Sequence, residues 1–236
     1  MKFEDFLQYI EDNDIENIKS SLKNLEFNPA DQNNEAFAFA CYHGNIQVVK
    51  LFLNDNRINP ADQNNQAFIQ ACHFGKSNIV KLLLNDNRIN PTDQNNQAFI
   101  QACAYGNLDI VKLLLNDNRI NPADQDNLAF IDACYNGHTD VVNSLLNDNR
   151  INPTDQNNKA FIDACYSESI DIIKLFLEFN IYNLNFNFSN ENENYFLNKI
   201  FRYFKDDIIL YLKNEEEFEL INELKKEHLN DKIKQF

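Results

Sequence analysis

Apolar residues along this chain recur at helical intervals, in pairs of short stretches divided by polar turns. Between Asp62 and Thr92, Phe68, Ile69, Ala71 and Cys72 line one side of Gln66 to Phe74. Ile79, Val80, Leu82, Leu83 and Leu84 then follow between Ser77 and Asp86, around a polar Lys81. A spacing nearer 3.6 than 2 predicts two helices, the first of about two turns and the second more deeply buried. Asp62-Gln63-Asn64-Asn65 ahead of them is turn chemistry, because Asn tolerates positive φ and Asp or Asn caps a helix by accepting a backbone N–H. Gly75 supplies the left-handed residue that ends the first helix, and Pro91 stops any continuation beyond Asn87-Arg88-Ile89-Asn90. The predicted unit is helix, tight turn, helix, extended loop.

The unit repeats. Pro29, Pro60, Pro91, Pro122 and Pro153 lie 31 residues apart, as do Cys41, Cys72, Cys103, Cys134 and Cys165, and Gly44, Gly75, Gly106 and Gly137. The chain has five prolines, five cysteines and four glycines, so the repetition absorbs every one of them. Self-similarity at such a period marks a stacked array in which each unit buries its apolar face on its neighbours. The expected organisation is a capping repeat over 1–30, five repeats over 31–61, 62–92, 93–123, 124–154 and 155–185, and a degenerate cap over 186–213. In the first cap, Phe6, Ile10, Asn13, Ile18, Leu22 and Phe27 stand 62 residues before their counterparts. In the last, Ile200 and Phe201 replace the small Ala-Cys pair. Residues 214–236, with Phe218, Ile221 and Leu224 among Glu and Lys, are expected to form an amphipathic helix that caps the stack, or binds a partner, or dimerises.

Two stretches carry a resemblance: Gln97-Ala98-Phe99-Ile100-Gln101-Ala102-Cys103-Ala104-Tyr105-Gly106-Asn107, and Ile110-Val111-Lys112-Leu113-Leu114-Leu115. With the Gly137-His138 pair, they are similar to the T-P-L-H-x-A-A-x-x-G-H-x-x-V-V-x-L-L-L pattern of ankyrin repeat proteins. The Thr-Pro-Leu-His start reads Gln-Ala-Phe-Ile here, and the period is two residues short of the family's usual 33 or so. The resemblance implies an all-α ankyrin-repeat solenoid of stacked helix-turn-helix units with short finger loops. It also implies a concave groove lined by one face of the first helices, on which a partner lies.

Where the copies differ is more telling than where they agree. In the first helices the changing positions are the fifth of each unit (Glu35, Gln66, Gln97, Leu128, Lys159), the ninth (Phe39, Gln70, Gln101, Asp132, Asp163), and the twelfth and thirteenth. These last are Tyr42-His43, His73-Phe74, Ala104-Tyr105, Tyr135-Asn136 and Tyr166-Ser167. Offsets of four, seven and eight place them on one helix face, the one that the resemblance assigns to the groove. Aromatic anchors amid Gln and Asp are what interface hot spots look like. The alternative is that the rings merely cover the turn. The expected partner-binding residues are Phe39, Tyr42, His43, Gln70, His73, Phe74, Gln101, Tyr105, Asp132, Tyr135, Asn136, Asp163 and Tyr166. The trend from Gln to Asp at Asp132 and Asp163 hints at a partner with a basic region.

Charge narrows the classes further. The net charge is -15, and it is -4, -8 and -3 over residues 1–30, 31–185 and 186–236. Without a basic segment the chain would be repelled by nucleic acid and by anionic membrane surfaces. Met1-Lys2-Phe3-Glu4-Asp5 opens on no charge-flanked apolar run, and no apolar run approaches the ~18 residues of a spanning helix, so a cytoplasmic protein, monomeric alone, is expected. Cysteines 31 apart fit neither zinc spacing nor a disulfide between stacked units, and read as small buried packing residues. Asn54-Asp55-Asn56-Arg57 lacks the glycine and glutamate of a calcium loop. Arg57, Arg88, Arg119 and Arg150 beside Asp55, Asp86, Asp117 and Asp148 are expected to form a ladder of exposed ion pairs, each worth at most about 1 kcal/mol. The four histidines His43, His73, His138 and His228 share no ligand or triad spacing, so neither catalysis, metal nor cofactor has a candidate residue set. Asn187-Phe188-Ser189 is a glycosylation sequon by letters only. The expected function is a non-enzymatic adaptor or scaffold that binds another protein in its groove. The alternative is a regulatory inhibitor of an enzyme, using the groove plus the C-terminal helix.

Overall fold

The computed structural model describes residues 2–178. They form twelve α-helices and, among the described residues, no strand. Consecutive helices pair as hairpins: α1 (Phe3–Glu11) with α2 (Ile15–Lys23), α3 (Asp31–His43) with α4 (Ile46–Leu53), and α5 (Asp62–His73) with α6 (Ser77–Leu84). Then come α7 (Asp93–Ala104) with α8 (Leu108–Leu115), α9 (Asp124–Tyr135) with α10 (Thr139–Leu146), and α11 (Asp155–Tyr166) with α12 (Ile170–Glu178). The expected features over 186–213 and 214–236 lie outside the described residues.

The odd-numbered helices stack on one another as a first layer and the even-numbered ones as a second. Neighbours in the first layer approach one another along more of their length than neighbours in the second. The cause is side-chain size. First helices meet through the fully buried pairs Ala40-Cys41, Ala71-Cys72, Ala102-Cys103 and Ala133-Cys134, whereas the second layer interposes Val49, Phe52, Val80, Leu83, Val111 and Leu114. Phe37, Phe68, Phe99 and Phe130 fill the space between layers, each at most 1 % exposed and each stabilising the stack by about 1.5–3 kcal/mol. The five cysteines are buried, as expected of small packing residues.

The Asp-Gln-Asn-Asn turn departs from expectation. It is a turn, but Gln63, Asn64 and Asn65 all adopt left-handed helical angles, φ 51–62° with ψ 32–51°. The same three positions do so in α3, α7 and α9. A left-handed residue other than glycine costs about 1–2 kcal/mol, least for Asn, so three in succession need compensation. The next unit supplies part of it. Asn65, 2 % exposed, donates from Nδ2 to the Asp93 carboxylate and accepts the Asn90 N–H on Oδ1 at 3.3 Å. Gln94 Nε2 donates to the Asn64 carbonyl at 3.2 Å. Asp93 therefore does not cap a helix as expected: its carboxylate holds the Asn65 and Asn90 amides. The arrangement recurs where Asn34 Nδ2 meets Asp62 at 2.6 Å and where Asn127 meets Asp155.

The arginine ladder also proves more than a solvated edge. Arg150 grips Asp148 bidentately, Nε to Oδ1 at 2.9 Å and Nη2 to Oδ2 at 2.6 Å. It then reaches back to the preceding unit, donating to the Ile120 and Leu115 carbonyls, both at 3.1 Å. Arg57 does the same to Phe27 at 2.9 Å and Leu22 at 2.7 Å. The aspartates are only 14–16 % exposed, so these pairs are half-buried staples between units.

Candidate functional site

Two features fix the ends of the first helices. Gly106, at φ 70°, turns the chain after α7, and a Cβ there would lie 2.6 Å from Nδ1 of His138 in the next unit. His138 needs that closeness to donate from Nε2 to the Ala104 carbonyl at 2.9 Å. In the unit before, Asn107 Nδ2 donates to the Cys72 and His73 carbonyls at 2.8 and 2.9 Å. The last turns of α5 and α7 are thereby tied to the following hairpins, and the rings that precede the glycines are held at the surface.

Those rings make a lane along the first layer. Tyr42, Phe74, Tyr105, Tyr135 and Tyr166 are each between 42 and 58 % exposed, although they are large and partly apolar. Several touch across units. Tyr42 meets Phe74 edge-on at a centroid distance of 4.6 Å, and His73 lies 3.8 Å from Tyr105. Within units, His43 packs against Phe39 at 4.3 Å and Tyr42 at 5.0 Å, and His73 against Phe74 at 4.3 Å. The half-buried His73 donates from Nδ1 to Gln101 Oε1 at 2.7 Å, joining the lane to the stripe of ninth positions.

That stripe is only partly available. Phe39, Gln70, Gln101 and Asp132 are half-buried. Asp163 is 5 % exposed, and Lys159 one turn earlier already pairs with its carboxylate. It therefore cannot be the free acid that the sequence suggested for a basic partner, and that hint falls back on Asp132. Burial raises the Asp132 carboxyl above its ordinary range; the neighbouring Asp163 adds to the rise and Lys159 opposes it. Asn136 is exposed but donates to its own helix at the Asp132 carbonyl, 2.9 Å away.

One part of this face escaped the pattern of differences. A cleft of about 440 Å³ opens between α3 and α5, lined among others by Gln32, Glu35, Asn59, Asp62, Gln66 and Gln70. Gln32 and Asp62 belong to the repeated turn and Asn59 to the loop before it, positions identical in every copy, so comparison of copies gave no signal for them. Folding brings the turn alongside the variable fifth and ninth positions. Among the described residues no group of three His, Cys, Asp or Glu side chains is placed to hold a metal ion. Burial pushes the Cys41 and Cys72 thiols far up, away from the thiolate form.

A family model for ankyrin repeats, three copies long, matches residues 7–95, 37–126, 70–157 and 99–190. None of the curated proteins matches the chain in sequence. No helix among the described residues is long and apolar enough to cross a membrane.

Proposed function

The chain belongs to the ankyrin repeat family, and on that premise we propose that it is a non-enzymatic adaptor, cytoplasmic, that holds a protein partner on the exposed side of its first-helix layer. Ankyrin repeats are generally protein–protein interaction modules. The observation that carries the reading is how sameness and difference divide. Most residues that join unit to unit, such as Asn65 with Asp93 and Arg150 with Ile120, repeat at their positions from copy to copy, although the position of Asn107 and His138, which also ties units, changes. The half-exposed rings sit where copies change. Frame residues answer to their neighbours, while the lane rings leave about half of their surface exposed.

Exposed rings amid polar neighbours are suited to anchoring, because a contiguous apolar patch on a protein surface usually has a reason. Six hairpins at about 8–10 Å each give a face of roughly 50 Å, ample for a contact of about 800 Å². In this reading residues 1–30 close one end of the frame, and the five units over 31–185 carry the lane. The test is capture of partner protein by the intact chain and by a Tyr105→Ala/Tyr135→Ala variant. The expected result is lost capture with unchanged helical circular dichroism, since both side chains are more than half exposed and their removal leaves the core intact. Unaltered capture would remove the lane from the account.

A further inference from the structure

The kind of partner that suits this face follows from where the array keeps its charge. The first helices α3, α5, α7, α9 and α11 carry nine carboxylates against Lys159 alone, a net charge of -8. The second helices α4, α6, α8, α10 and α12 carry four lysines and four acids. In the connecting loops four aspartates face four arginines, each aspartate gripped by its own arginine. The glycine turns add Lys76 and Glu168, which cancel. The whole excess charge of residues 31–178 thus stands on the layer that bears the rings.

Glu35 stands at the variable fifth position and Asp132 at the variable ninth, on the face that bears the rings, while Asp126 stands in the turn that opens α9. Glu35 and Asp126 are exposed, and Asp132 is half-buried. Tyr and Phe faces attract guanidinium and ammonium groups, more strongly where water is partly excluded. Carboxylates beside such rings add a field that speeds and orients the approach of cations. From this we infer that the occupant of the lane is a lysine- and arginine-rich segment of a protein partner, an inference that rests on the binding face proposed above. Phosphate-bearing surfaces would meet the same field as repulsion. A second copy of the chain would bring its own charge of -15, and is disfavoured on the same ground.

A random 12-residue peptide library panned on the full chain at about 50 mM salt tests the inference, because it makes no choice of sequence in advance. The selected peptides are then measured against Tyr105→Ala/Tyr135→Ala and against Glu35→Gln/Asp126→Asn/Asp132→Gln. The second variant installs what other copies carry at the same positions: Gln66 and Gln97, Asn64 and Asn95, Gln70 and Gln101. It therefore removes charge without asking the fold for anything new. The expected peptides are enriched in Arg and Lys, bind about tenfold more weakly to the charge variant at low salt, and lose most of that difference near 0.5 M salt. They also lose binding to the tyrosine variant. Neutral or acidic peptides that depend on the two tyrosines would overturn the inference and leave the binding face standing. Basic peptides indifferent to the tyrosines would overturn both. Basic peptides that need the tyrosines but ignore the charge variant would overturn the inference alone, and so would selection of no peptide at all.

Discussion

Asn65 shows how much a single side chain can be asked to do. Its backbone sits at φ 62°, the third left-handed residue in a row, and its amide joins its own turn to the next unit. Asn65→Ala removes two hydrogen bonds and keeps the strained angle for a residue less suited to it. Urea titration should show a loss of about 2–4 kcal/mol. Asn65→Gly loses the same bonds but tolerates the angle, so it should cost about 1–2 kcal/mol less than the alanine. Equal losses would mean that the turn holds no strain. The sequence announced that Asn here tolerates positive φ, yet not that Gln63 and Asn64 share it, because left-handed residues ordinarily occur singly and Gln has no special liking for them. What stabilises the run lies about 30 residues away, in the next copy. Asp163 is hidden for a simpler reason. Periodicity placed it on the open face, while Lys159, one turn earlier and visible in the sequence, closes over it.

At the scale of the element, the paired helices were legible because period 3.6, the glycine and the proline all mark the same boundaries. The loop after each second helix was less so. Asp-Asn-Arg reads as a local ion pair, and nothing in three letters reveals that the guanidinium also reaches carbonyls 30 and 35 residues back. That reach has a pH signature. Side-chain hydrogen bonds from the arginines hold Asp55, Asp86, Asp117 and Asp148 below the ordinary carboxylate value of 3.8. A carboxyl lowered on folding contributes stability in full above its unfolded value and loses it as pH falls through the lower folded one. Arg119→Gln should therefore cost about 1 kcal/mol at pH 7, modest because Arg119 is 43 % exposed. In urea titrations the gap from the unaltered chain should close progressively below pH 3.8. A gap that stays constant with pH would show that the arginine acts only through its packing and the Ile89 carbonyl.

For the whole molecule, the fold class was plain in the 31-residue grid, whereas the sorting of charge was not. Along the chain acids and bases are interspersed, and only the division into layers shows the surplus acids of residues 31–178 on the first and Lys50, Lys81, Lys112 and Lys174 on the second. Nearest-neighbour construction also means that a unit can be removed whole. Deleting residues 93–123 brings the end of one copy against the start of a nearly identical one. The shortened chain should remain cooperatively folded, with a lower Tm, as thermal circular dichroism would report. Loss of the helical signal would instead point to a folding unit larger than the hairpin. The central claim is that the repeated residues build a frame and the changing ones meet a partner. Hydroxyl-radical footprinting of the intact chain, alone and with the protein it captures, tests this most directly. Protection should fall on Tyr42, Phe74, Tyr105 and Tyr135 and spare the outer residues of the second layer. Protection confined to the second layer or to the arginine edge, with these rings oxidised as in the free chain, would contradict it.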